Sequence, residues 1–132
     1  MRVCTVWLGL TVLGCRGGIT TVDQLPQTVR LAIGSEIQLA SPSVRLKLEA
    51  VTQDSRCPIG ATCVWAGSVT LRFSVVPATG SATEILLDSE RPDSSAGVVL
   101  RIAAVTPVPR LDTTIDPKDI RVELEISARS PQ

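Results

Sequence analysis

The residues of this chain that could do chemistry are concentrated in one stretch, Asp54–Gly67, which contains the cysteine pair Cys57 and Cys63. A thiol pair can serve redox catalysis, bind a metal or form a structural disulfide. Redox catalysis is disfavoured because five residues separate the cysteines, where redox motifs have two, and because the chain has no histidine to lower a thiol pKa. A metal site would still lack two ligands. The N-terminal segment of the chain indicates export, and cysteine pairs of exported proteins are normally oxidised. We therefore predict a Cys57–Cys63 disulfide, which would restrain the unfolded chain by roughly 2 to 2.5 kcal/mol.

Three other side chains of this stretch are predicted to order the loop. Trp65 lies two residues past Cys63, on the same side of an extended chain, so we expect it to pack over the disulfide as a core plug. The alternative is an exposed aromatic side chain used for recognition. Asp54 and Arg56 are expected to pair with each other or with the backbone of the turn. If the Trp65 ring is buried, its replacement by alanine should cost about 3 to 5 kcal/mol.

The composition of the chain disfavours several classes of function. The 132 residues include no histidine, the usual general base and the commonest zinc or copper ligand. Basic and acidic residues balance at 13 each, so the chain lacks the basic surplus typical of nucleic-acid-binding proteins. The remaining serines, lysines and carboxylates form no recognisable catalytic motif, and Asp112, Asp116 and Asp119 match no calcium-loop spacing. We therefore predict a protein that is not an enzyme, has no catalytic, metal-binding or cofactor-binding residue, and does not bind nucleic acid.

The first fifteen residues are typical of an export signal. An apolar run of about eleven residues follows Arg2, which suits a secretory signal and is too short to span a bilayer. The run ends in Val12-Leu13-Gly14-Cys15, which resembles the bacterial lipobox, in which the cysteine is diacylated and becomes the mature N-terminus. The alternatives are a buried first strand and an ordinary cleaved signal. We predict a lipoprotein signal peptide at 1–14, lipidation at Cys15 and a flexible tether over 15–27. This arrangement would anchor the protein by lipid to a membrane of the bacterial cell envelope, facing the periplasm or the exterior.

The rest of the chain alternates apolar and polar residues with a period of two, the pattern of half-buried strands. In the clearest run, 44–50, every charged residue falls on one face. About seven such runs, joined by Gly, Pro and Ser turns, favour an all-β fold over residues 28–128. We predict an immunoglobulin-like antiparallel β-sandwich, with a small β-barrel as the alternative. Runs 29–33 and 37–39 are predicted to pair as a tight hairpin. Since aromatic residues make up 2% of the chain, the core must be built from Val, Leu, Ile and Ala.

A resemblance to a protein family rests on three segments: Asp-Ser-Arg-Cys-Pro at 54–58, Cys-Val-Trp-Ala-Gly at 63–67, and Ile115-x-Pro117-x-Asp119 before the last strand. Together they resemble small uncharacterised bacterial envelope lipoproteins with a DSRCP…CxWxG loop motif. The resemblance covers residues 28–128. It implies an exported β domain with a bridged loop, and it brings no activity with it.

These observations favour a lipid-anchored, non-enzymatic envelope module that binds or scaffolds another macromolecule, such as an envelope protein. The alternative is a protease inhibitor that presents loop 54–67. In that alternative Arg56, beside Cys57, would enter a trypsin-like cleft on a rigid extended segment. Against it, Pro58 and Trp65 suit a corner that is seated inward.

The predicted disulfide is open to a direct test by mass. Reduction should add the mass of two hydrogen atoms to the protein, because one S–S bond becomes two thiols. A variant with Cys57→Ser and Cys63→Ser provides the control and should gain nothing. An unchanged mass of the wild-type protein would show that both thiols are free.

Overall fold

The structure is a computed structural model that describes residues 19–130. The predicted signal segment 1–14 and the predicted lipidation site Cys15 lie outside the described residues. Nine strands form two sheets, ordered β1-β3-β4-β5-β6 and β2-β9-β8-β7. The strands are β1 (Thr20–Val22), β2 (Gln27–Ala32), β3 (Glu36–Leu39), β4 (Val44–Asp54), β5 (Val69–Pro77), β6 (Thr83–Asp88), β7 (Asp93–Ser95), β8 (Val98–Thr106) and β9 (Arg121–Ala128).

The predicted β-sandwich is confirmed. Over the described part of the chain the strands form two separate sheets, which is the sandwich and not the closed alternative. Every pairing is antiparallel except that of β1 with β3, which is parallel. The chain runs as a meander through β3 to β6 in the first sheet and through β7 to β9 in the second, where β2 lies beside β9.

The core lies between the sheets and is aliphatic, as the composition predicts. The buried residues of β4, β5 and β9 recur at every second position, because a strand directs alternate side chains to opposite faces. Phe73 on β5 is fully buried and is the only aromatic residue among the buried residues of the described chain. Valine, leucine and isoleucine supply the rest. Branched side chains of this kind pack well on a pleated surface.

The predicted hairpin of residues 29–39 is wrong, although both of its strands exist. β2 pairs with β9 and β3 pairs with β4, so the two strands belong to different sheets. The turn between them is a corner in which Gly34, at φ +83°, donates its N–H to the Leu48 carbonyl at 2.7 Å. Leu31 and Ile37 both reach the core from opposite sides. Alternation alone cannot separate a corner from a hairpin, because either arrangement buries the same side chains.

Ordered structure begins earlier than the predicted domain start at residue 28. Within the predicted tether, β1 pairs with β3, and Leu25 packs against the core. Sequence alternation misses β1 because a three-residue edge strand is held by backbone hydrogen bonds and needs no apolar period. The same holds for β7, an edge strand whose three residues are all polar.

The connections between strands divide into two ends of the sandwich. We call one the loop end, which carries connections 33–35, 55–68, 89–92 and 107–120. The opposite end carries connections 23–26, 40–43, 78–82 and 96–97. The long connections all lie at the loop end, so this end holds most of the irregular chain.

The importance of the core is tested by comparing two apolar residues on neighbouring strands. Phe73→Ala should lower the free energy of unfolding by about 3 to 5 kcal/mol, because it empties a fully buried site. Leu86→Ala on β6, where the side chain is 63% exposed, should change it by about 0.5 kcal/mol or less. Denaturant unfolding measures both values. Equal effects of the two substitutions would contradict the assigned core.

Candidate functional site

The connection 55–68, which we call the bridged loop, continues the β4–β5 ladder beyond its last strand pair. Ser55 donates its N–H to the Ser68 carbonyl at 2.8 Å, and Cys57 donates to the Ala66 carbonyl at 3.0 Å. Gly67 has φ +72°, and a Cβ there would lie 1.8 Å from the Ser55 carbonyl oxygen. Only glycine allows the two arms to approach so closely. The base of the loop is therefore a tight extension of the sheet.

The predicted disulfide between Cys57 and Cys63 is confirmed. It joins two residues whose Cα atoms are 5.9 Å apart and closes the outer part of the bridged loop into a ring. The ring and the backbone bonds at the base together restrict the conformations open to this loop.

The Arg56 guanidinium connects the bridged loop to the other sheet. It binds the Asp54 carboxylate through two hydrogen bonds, Nε to Oδ1 at 2.8 Å and Nη2 to Oδ2 at 2.6 Å. It also donates to the carbonyl of Val105 at 2.5 Å and to that of Pro107 at 3.3 Å. Val105 lies near the end of β8, and Pro107 begins the connection from β8 to β9. The Asp54–Arg56 pair thus joins loops that belong to the two different sheets.

The pair is shielded from water more than the other ion pairs of the described chain. The side chains of Arg56 and Asp54 are 17% and 23% exposed. The hydrogen bonds from the Arg56 side chain lower the pKa of the Asp54 carboxyl below its ordinary value of 3.8, while partial burial opposes this shift. The carboxylate is therefore ionised, and the pair intact, at neutral pH.

A second set of contacts joins the bridged loop to the 107–120 connection. Ile59 donates its N–H to the Pro109 carbonyl at 2.8 Å, and Leu111 donates to the Ile59 carbonyl at 3.4 Å. The side chain of Leu111 lies against the backbone of Gly60. These contacts fix the two loops side by side, so that they present one surface.

Most of the large apolar side chains that the described residues expose lie on these two loops. Of the seven large hydrophobic side chains exposed among residues 19–130, five lie there. Charged residues lie between some of them, since exposed Arg110 and Asp112 flank Leu111. Apolar side chains grouped on the outside of a protein mark sites of interaction. We call the five the paired-loop surface; they are Ile59, Val64, Trp65, Val108 and Leu111.

The prediction that Trp65 covers the disulfide as a core plug is wrong. The Trp65 side chain is 82% exposed, and its neighbour Val64 is 87% exposed. The end of the sandwich is instead closed by Arg56 and by the 107–120 connection, which leaves the indole no buried site to fill. The structure has the alternative arrangement, an exposed aromatic side chain.

The structure brings together some of the predicted loop residues and adds others. Arg56 pairs with Asp54 at the base of the bridged loop, and Cys57 is bonded to Cys63 within it. The Trp65 side chain, in contrast, is exposed to solvent. Sequence reasoning missed the part of the paired-loop surface contributed by 107–120. The available signal was the presence of isolated apolar residues, Val108 and Leu111, in a proline-rich segment without strand alternation.

The Asp116 carboxylate of the 107–120 connection has structural partners. Asp116 caps a short 3-10 turn by accepting the Lys118 N–H at 3.0 Å, and it also pairs with the Lys118 ammonium at 2.7 Å. Within residues 19–130, no three Cys, Asp or Glu side chains converge as metal ligands would.

Comparisons with known protein families, with curated proteins and with solved structures give no match to this chain. The resemblance to envelope lipoproteins with the DSRCP…CxWxG motif therefore stays a prediction. Among the residues that the structure describes, no helix has the length and hydrophobicity needed to cross a membrane.

The exposure of Trp65 predicts a small effect of its removal on stability. Trp65→Ala should change the free energy of unfolding by about 0.5 kcal/mol or less, because the indole buries little surface. Denaturant unfolding of the two proteins checks this. If the free energy of unfolding fell by several kcal/mol, the Trp65 ring would have to be buried, as the sequence had predicted.

Replacing Arg56 should lower the free energy of unfolding much more than replacing Trp65. Arg56→Met removes four hydrogen bonds, takes a donor from two carbonyls and leaves the Asp54 carboxylate with only the backbone N–H of residue 56, so it should cost about 2 kcal/mol. Arg101→Met is the matched control, since Arg101 faces Glu125 at 3.8 Å and is 68% exposed. That pair should contribute about 0.5 kcal/mol or less. Chemical unfolding at neutral pH measures both, and equal losses would contradict the role given to Arg56.

The lowered pKa of Asp54 predicts a dependence of stability on pH. A carboxyl whose pKa is lower in the folded protein stabilises the fold above its unfolded pKa, and this stabilisation is lost as the pH falls through the folded pKa. Asp54→Asn should therefore be less stable than the wild type at pH 7, and the difference should shrink below about pH 4. Unfolding curves over this pH range check the prediction. A difference that stays constant with pH would show that the charge of Asp54 is not involved.

Proposed function

We propose that this protein is a lipid-anchored, non-enzymatic module of the bacterial cell envelope that binds another macromolecule through the paired-loop surface. The observation that carries the binding role is the exposure of Val64 and Trp65 on a loop restrained by a disulfide and by Arg56. The lipobox-like segment ending at Cys15 supports the anchor.

The energetics of the loop favour a role in binding over a role in stability. An apolar side chain left in water forgoes the stabilisation of about 1.5 to 3 kcal/mol that burial would bring. Trp65 and Val64 can recover that free energy only on contact with something outside the described chain. Aromatic residues on a restrained loop suit this purpose, because little conformational entropy is lost when they bind.

The protease-inhibitor alternative loses the residue on which it was based. The Arg56 side chain binds Asp54 and two backbone carbonyls and is 17% exposed, so it is not presented to a protease cleft. The exposed residues of the bridged loop are uncharged instead. We therefore do not propose inhibition of trypsin-like enzymes.

The anchor is tested by metabolic labelling with palmitate in a bacterial host. The wild-type chain should incorporate the label, and Cys15→Ala should not, because the acylated thiol is missing. Cys4→Ala is the matched control and should be labelled like the wild type, since Cys4 lies inside the predicted signal. Label retained by Cys15→Ala would contradict an anchor at that residue.

A further inference from the structure

We propose that the partner of the paired-loop surface is the lipid bilayer itself, with Trp65 and Val64 seated in the interfacial layer of the membrane. This inference rests on the proposed function, because it takes the lipid anchor at Cys15 as the feature that brings the domain to a membrane. It assigns to the surface a ligand class, phospholipid, and to the domain one orientation.

The chemistry of the loop tip suits an uncharged interface. Residues 57–67 include no charged side chain, and the exposed large groups among them are Ile59, Val64 and Trp65. Tryptophan is enriched at the level of lipid headgroups, where its ring meets acyl chains and its N–H meets polar groups. Residues 57–67 offer no ionic contact with which to select a protein partner, whereas a bilayer requires none. On the neighbouring loop the exposed charges beside Leu111, Arg110 and Asp112, are opposite in sign. Binding should therefore not depend on anionic lipid.

Part of the backbone of the two loops is already paired within the protein. The N–H groups of Cys57, Ile59 and Leu111 donate to carbonyls of the same two loops, so the cost of desolvating them at an interface is reduced. The N–H groups of Val64 and Trp65 make no hydrogen bond within the described chain and need water or headgroup oxygens as acceptors. This places the tip in the headgroup layer and not among the acyl chains.

The register of the strands places the paired-loop surface at the end of the sandwich from which the N-terminal chain enters the first sheet. Arg56 binds the carbonyls of Val105 and Pro107, which flank Thr106 at the end of β8. Thr106 is aligned with Arg121, and Arg121 is aligned with Ala32, directly before the corner 33–35. The base of the bridged loop and this corner therefore lie at the same end.

The length of chain between Cys15 and β1 is enough to bring the anchor to that end. Thr20 is aligned with Ile37, two residues from the corner, which is roughly 7 Å along the strand. Because β1 runs parallel to β3, the chain before Thr20 points towards the corner. The five residue steps from Cys15 to Thr20 span at most about 18 Å, so the anchor can pass the corner by about 11 Å.

In the first sheet the corner is level with Leu48, whose carbonyl accepts the Gly34 N–H and which is aligned with Phe73. Ala66 lies seven residues before Phe73 in the chain, roughly 23 Å beyond the corner. The anchor therefore leaves from the loop end but stays nearer the base of the bridged loop than its tip, and a lipid on Cys15 would bring the loop end to the membrane with the domain tilted.

The experiment uses the fluorescence of Trp65 in the full chain. Trp7→Phe leaves Trp65 as the only tryptophan, whether or not the signal is removed. The protein is reconstituted in phosphatidylcholine vesicles with or without brominated acyl chains, which quench an indole that lies in the membrane. We expect Trp65 to lose emission on brominated vesicles and its spectrum to shift to the blue, equally with and without added anionic lipid.

A matched reporter tests the orientation. In a chain with Trp7→Phe, Trp65→Phe and Thr79→Trp, the indole moves to an exposed position in the connection 78–82 at the opposite end of the sandwich. We expect this reporter to keep its emission on brominated vesicles. Quenching of both reporters to the same degree would overturn the proposed orientation.

Emission of Trp65 that is the same on both kinds of vesicle would overturn the bilayer contact. So would a photoreactive residue at position 65 that, in native envelopes, captures a protein and no phospholipid. The anchor is judged separately by palmitate labelling. A chain that incorporates palmitate but shows no quenching of Trp65 would support the anchor and contradict the bilayer contact. A chain that shows quenching of Trp65 but incorporates no palmitate would support the bilayer contact and contradict the anchor.

Discussion

The guanidinium of Arg56 is the contact on which the loop end of the sandwich depends. It joins Asp54, at the end of β4 in one sheet, to the carbonyls that follow and precede Thr106 in the other sheet. Those carbonyls lie where the β8 ladder ends, and backbone acceptors at such a place need a donor. A planar guanidinium with five N–H groups can make these four hydrogen bonds at once, whereas a lysine ammonium has three donors. This single side chain therefore closes the end of the domain with polar contacts.

The consequence of this polar closure is that no large apolar side chain is needed at the loop end. The core is filled by aliphatic residues and Phe73, and the bridged loop is held by Arg56, the disulfide and the backbone bonds to the 107–120 connection. Trp65 is thereby left outside, on a restrained loop next to Val64. The two exposed side chains are positioned by contacts that they do not themselves make, which is the arrangement expected of a binding surface.

The sequence predicted the strands and the covalent staple well, because both depend on local patterns. Alternation over Val44–Ala50 places one face inward wherever the strand lies, and two cysteines in a short loop have few other partners. It failed on features set by distant residues. The corner at Gly34 differs from a hairpin only in the partner of β2, which is β9, about ninety residues away in the chain. The exposure of Trp65 was missed because it depends on the contacts of Arg56. The two carbonyls that Arg56 binds, at Val105 and Pro107, lie about fifty residues after Arg56 in the chain and cannot be inferred from the loop alone.

The central claim is that the bridged loop and the 107–120 connection form one restrained surface. Amide hydrogen exchange of the wild-type protein, measured residue by residue, tests it most directly. The N–H groups of Cys57, Ile59 and Leu111 bond to carbonyls within these loops, and we predict that they exchange much more slowly than amides of an unfolded chain. Exchange of Ile59 and Leu111 at the unfolded rate would show that the two loops move independently, and would contradict the account.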